Sequence, residues 1–138
     1  MTLKPPQETF VHTATELTDL WADLMGAGGF SLRSLWMIFI RADGQMAPVG
    51  SPIDDIPPEP DEFILRNFRH VIGELADEGE VSAAFLLARP GPSQVLVGDR
   101  HWASALTQAL GPRLSPWPVH LATAGRVRVI APDDLVAA

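Results

Sequence analysis

A chain of 138 residues with no cysteine and 20% charged residues has the size of one domain and can bury about two-thirds of its unfolded surface. Disulfides, thiolate metal sites and a cysteine nucleophile are excluded. The formal net charge is -7, with ten Lys and Arg in no dense run, so nucleic-acid binding ranks last among the partner classes.

The opening MTLKPPQETF lacks the apolar stretch of a secretory signal, and nowhere do eighteen apolar residues run together. No membrane association is expected, and a cytoplasmic location follows by default. Residues 1–12, with Pro5 and Pro6, read as an N-terminal arm, and 13–138 as a single domain. Thr13-x-x-Glu16 fits a capping box, in which hydroxyl and carboxylate satisfy free amides reciprocally. Leu17, Leu20, Trp21 and Leu24 then form one helical stripe, and Gly26 is placed to end it. SLWMIFI, Ser34 to Ile40, predicts a largely buried strand. Ala42-Asp43-Gly44 turns the chain, and Gln45 to Gly50 returns as an antiparallel partner, at an edge because of Pro48.

SPIDDIPPEPD, with four prolines in eleven residues, is too stiff for a helix and predicts an extended surface crossing. Asp61 opens a second helix that turns Ile64, Phe68, Val71, Ile72 and Leu75 inward and stops at Gly79. Val81 to Ala88, VSAAFLLA, has the near-continuous apolar character of a strand covered on both faces and is expected at the sheet centre. Asp99 is expected to cap a third helix, with Trp102, Leu106, Ala109 and Leu110 inward and Gly111-Pro112 at its end. Val119 to Thr123 and Val127 to Ala131 close the chain as a hairpin about Ala124-Gly125, with His120, Arg126 and Arg128 alternating with apolar residues. The fold class is α/β (α+β): a mixed, mostly antiparallel sheet of about five strands with three helices packed on it.

The strand-to-helix turn Arg89-Pro90-Gly91-Pro92-Ser93 invites a search for chemistry. It has one glycine between Arg89 and Val97, where a phosphate loop needs several. Ser93 stands between Pro92 and Gln94, where a nucleophile elbow needs small neighbours. Of the four histidines, His12, His70, His101 and His120, none forms a closely spaced ligand pair. His101 and His120 could meet only through the fold, and with Asp99 they would compose a His/His/carboxylate site for a metal or a hydrolase. Against this, His120 reads as the wet face of a strand and Asp99 as a helix cap. The acid pairs Asp54-Asp55 and Asp133-Asp134 read as turn or cap residues. Trp117, held between Pro116 and Pro118, suits contact with a partner or a lid over the core, and Arg126 and Arg128 join it as partner-binding candidates. No metal and no cofactor are expected.

This order of elements resembles the JAMM (MPN-type) metalloprotease family, especially its bacterial RadC-like branch: a capped helix, LWMIFI with Asp43-Gly44, a proline-rich return, a long helix, AAFLLA, a Pro/Gly turn, an Asp-led helix and a closing hairpin. The resemblance covers the chain from Thr13 to Leu135 and implies that fold. In the family, His-x-His, Pro-Ser-Gly and Ser-x-x-Asp carry the zinc chemistry. With Asp99 on the family's zinc-binding Asp, Leu86 and Ala88 stand at the two histidine positions and Leu96 at the serine. The resemblance therefore implies a catalytically dead member. The expected function is a non-enzymatic regulatory or protein-binding domain, its partner another protein or a second copy. The alternative is a hydrolase using His101, His120 and Asp99. The third is a nucleic-acid contact through Arg89, Arg100, Arg126 and Arg128.

Overall fold

The computed structural model describes residues 9–26, 29–47, 53–79 and 81–130. In chain order they form α1 (Ala14–Met25), β1 (Ser34–Arg41), β2 (Met46–Ala47), β3 (Ile53–Asp54), α2 (Glu62–Gly79), β4 (Val81–Ala88), α3 (Val97–Leu114), β5 (His120–Thr123) and β6 (Arg126–Val129). The strands make one six-stranded sheet in the order β2-β1-β4-β5-β6, with β3 also paired to β1. Every pairing is antiparallel except that of β4 with β5, which α3 connects, because a parallel neighbour can be reached only by a long crossover.

The sheet separates two apolar layers. On one face Ile38, Ile40, Ala84 and Leu86 pack against Leu17 and Trp21 of α1. On the other, Leu35, Phe85, Leu87 and Leu121 meet Ile72 of α2 and Trp102 and Leu106 of α3. Six consecutive residues of β4, Ala83 to Ala88, are buried, as expected of a central strand covered on both sides. Among the described residues no helix is long and apolar enough to cross a membrane.

The predicted helix starts rest on local hydrogen bonds. Thr13 Oγ1 accepts the Glu16 amide at 3.1 Å and Glu16 Oε1 accepts that of Thr13 at 3.1 Å. Asp61 Oδ1 accepts the amides of Phe63 and Ile64 at 2.8 and 3.1 Å. The arm's last residues lie along the β1–β2 turn, where Val11 is buried and donates to Gly44 O at 2.7 Å.

Four expectations need correction. In α2, Val71 and Leu75 face solvent, and Ala76 takes their place beside Ile72, because the sheet contacts a stripe rotated toward Leu65, Phe68, Ile72 and Ala76. α3 begins at Val97, two residues before Asp99, so Asp99 lies inside the first turn. Gly111, at φ 74°, interrupts α3 as foreseen, but a further turn carries the helix to Leu114. The proline-rich crossing contributes β3 and the buried Ile56, and Pro57 O accepts the Trp102 indole N–H at 2.9 Å. Asp54, Asp55, Pro57, Pro58 and Glu59 stay exposed, so the segment does cross the surface as expected, and the correction is that it also pairs with β1 and anchors itself through Ile56. The last residues of the predicted returning strand, 48–50, and of the closing strand, 131, lie outside the described residues, as do Asp133 and Asp134.

Candidate functional site

The corner between β4 and α3 is filled from within. Arg89 follows the last residue of β4, and both it and Asp99 are buried. Arg89 Nε donates to Asp99 Oδ1 at 2.9 Å and Oδ2 at 3.1 Å. Its Nη2 donates to Asp99 Oδ2 at 2.7 Å and Gln94 O at 2.9 Å. Nη1 donates to Pro90 O at 3.0 Å and Pro92 O at 2.9 Å. A guanidinium has five N–H donors, and all are engaged. Asp99 Oδ2 also accepts the Leu96 amide at 2.8 Å, and a carboxylate in a helix's first turn is favoured by the helix dipole. Residues 90–96 thus wrap around a cation, turning carbonyls inward, and prolines suit this because they bring no competing N–H. Arg89, counted among the arginines open to nucleic acid, is closed to solvent. Asp99 is an ion-pair partner whose carboxylate also closes the helix start.

His120 corrects the expectation of a wet strand face. It is fully buried, its Nε2 lies 2.7 Å from Thr18 Oγ1 of α1, and its Nδ1 lies 3.2 Å from Pro118 O. A carbonyl only accepts, so in the neutral ring the proton sits on Nδ1 and Nε2 accepts from the threonine, whose single hydroxyl proton is then drawn away from Ala14 O, 3.0 Å from the same oxygen. Burial pushes its pKa down from 6.5 to about 4, against a smaller upward pull from the Pro118 carbonyl. The residue is a neutral, doubly hydrogen-bonded tie between β5 and α1.

The three residues of the hydrolytic alternative do not share one site. His120 faces α1, whereas His101 lies on α3, across the sheet, and its Nδ1 is paired with Glu59 Oε1 of the proline crossing. Asp99 belongs to Arg89. Leu86 and Ala88, the positions matched to the family's histidines, are buried in the layer under α1, while Asp99 lies at the start of α3. Among the described residues no group of three or more His, Asp or Glu could hold a metal.

Trp117 is half-buried and packed against the α1 layer. Its indole N–H donates to Ser82 Oγ at 3.0 Å, and Ser82 Oγ donates to Ile40 O at 3.3 Å. Trp117 borders two open hollows of about 350 and 340 Å³. Arg126 and Arg128 are exposed on β6, the edge strand. The register pairs His120 with Val129 and Leu121 with Arg128, so His120 and the two arginines, grouped in the sequence as one alternating set, point to opposite faces.

Sequence reasoning missed the buried pairing of Arg89 with Asp99. The available signal was an arginine directly after an apolar strand, with an acid in the following helix's first turn. Set beside models of known protein families, curated proteins and solved structures, the chain matches none.

Proposed function

We propose that this chain is a non-enzymatic regulatory or protein-binding domain on a JAMM- or RadC-like scaffold whose catalytic corner has become a structural clasp. The supporting observation is the saturated guanidinium of Arg89: every N–H is spent on Asp99 and on the loop that would border an active site. A carboxylate clasped in this way has its lone pairs occupied by donors from its own chain, so it is not presented to zinc or to a substrate. The family resemblance is part of the proposal and rests on element order. Elemental analysis of the purified protein after zinc loading and buffer exchange tests it. The expected result is no stoichiometric metal, and one zinc per chain overturns the reading.

A further inference from the structure

The two edges of the sheet are treated differently. At β2 the arm lies alongside: the Met46 amide donates to Thr9 O at 2.8 Å and the Val11 amide to Gly44 O at 2.7 Å. At the opposite edge stands β6, whose only strand partner is β5. The Ile130 amide donates to Val119 O at 2.8 Å, and the antiparallel ladder alternates from there. Arg126 and Arg128 therefore turn their backbone groups to β5, while Val127 and Val129 turn theirs outward. Among the described residues nothing pairs with those outward N–H and C=O groups.

The side chains of this edge are sorted by face. Val127 lies opposite Ala122 in the layer under α1, and Arg128 lies opposite Leu121, which belongs to the layer under α2 and α3. Arg126 shares the face of Arg128, because side chains alternate along a strand. Both arginines are exposed, and among the described residues neither guanidinium is in an ion pair or hydrogen bond. On the same side, α3 turns Ala103 and Thr107 toward Val119 and Ile130. Arg100, one turn earlier on that flank and half-buried, adds a third cation.

A row of unpaired amides and carbonyls is a template for another strand, and the arginines decide which strand fits. A second copy laid antiparallel along this edge sets arginine opposite arginine, since a register shift that keeps each face in place moves by two residues. We propose that the free edge of β6 takes an extended acidic segment of another protein as an added antiparallel strand, with carboxylates at alternate positions opposite Arg126 and Arg128. This rests on the reading of the chain as a protein-binding domain and names its partner's chemistry. Opposite each arginine the added strand makes a non-hydrogen-bonded pair, the closer of the two spacings, with about 4.5 Å between Cα atoms. The net charge of -7 does not prevent this, because at physiological salt charges beyond about 8 Å are largely screened. β6 has four residues, so the complex is weak and exchanges rapidly.

Fluorescence anisotropy of the full chain with a labelled peptide of about ten residues, glutamate alternating with valine, is the test. Saturable binding is expected. Arg126→Glu combined with Arg128→Glu should raise the dissociation constant at least about tenfold, and should bind instead the peptide in which arginine replaces glutamate. A peptide of the same composition with its glutamates grouped at one end should bind at least about tenfold more weakly, because only alternation puts the carboxylates on one face. Val129→Pro removes an outward N–H at an edge, where proline is tolerated, and should weaken binding with both arginines in place. The proposal is overturned by absence of saturable binding to the alternating peptide, by equal affinity for the grouped one, or by indifference to the double charge reversal or to a folded Val129→Pro. If Val129→Pro does not fold, the charge reversal and the grouped peptide decide. Zinc content reads the proposed function separately: a zinc-free chain that ignores the peptide removes the edge site alone, whereas a zinc-bearing chain removes the function.

Discussion

His120 and Arg89 are both polar side chains taken out of water, and they meet the cost in opposite ways. His120 stays neutral, its pKa lowered by burial from 6.5 to about 4. Above the higher value both native and unfolded chains hold a neutral ring, so the group leaves stability unchanged. Between the two values the unfolded chain binds a proton that the native chain refuses, so stability falls as pH drops through this window. Below the lower value the loss levels off at about 3 kcal/mol. His120→Gln, neutral at every pH, should therefore lose about 2 kcal/mol less than the wild type between about pH 7 and pH 5, read from urea midpoints. Arg89 instead keeps its charge and takes a counter-charge with it. Asp99→Asn leaves that cation uncompensated and should cost about 3–5 kcal/mol, seen as a lower thermal midpoint. Arg89→Lys should also destabilise, because an ammonium has three donors where this site engages five.

At the scale of elements, close approaches decide which substitutions are tolerated. A Cβ added at Gly98 would lie 2.4 Å from Pro58 O, so the proline crossing and the first turn of α3 are spaced for glycine alone. Gly98→Ala should cost about 1–3 kcal/mol through displacement of backbone and should loosen Trp102 from Pro57, measurable as a change in indole fluorescence. Gly73 is a control within α2, since a Cβ there meets nothing within 4 Å. Gly73→Ala should stabilise by a few tenths to about 1 kcal/mol through helix propensity. The two glycines look alike in the sequence, and their opposite expected signs come from what lies beside each helix.

For the whole molecule, the layer order places the heaviest packing demand on β4. Ala83 and Ala84 are fully buried and point into opposite layers, Ala83 toward α2 and α3 and Ala84 toward α1. Small residues at the sheet centre let helices approach both faces. Ala84→Leu should overpack the layer under Trp21 and cost about 1–3 kcal/mol, lowering the thermal midpoint by several degrees. Among the described residues the same layering leaves Phe63, Val71 and Leu75 of α2 partly exposed, because one sheet face cannot cover an apolar arc that runs more than halfway round a helix.

What the sequence determined by itself was whatever depends on neighbours a few residues away: the Thr13–Glu16 box, the Asp61 cap, the turns at Gly44 and Gly125, and the double burial of the Val81–Ala88 strand. These features answer to backbone hydrogen bonding and side-chain periodicity, which act locally. The fates of the candidate site residues depended on distant partners. His120 meets a threonine 102 residues away in the chain, Arg89 an aspartate ten residues away, and His101 a glutamate 42 residues away. Alternation along the closing hairpin made His120 a surface residue, because a period of two says that a strand has two sides without saying that both are covered. Tertiary structure decided that by laying α1 over one face and α2 with α3 over the other, so a polar residue on β5 had to find its hydrogen bonds inside the protein.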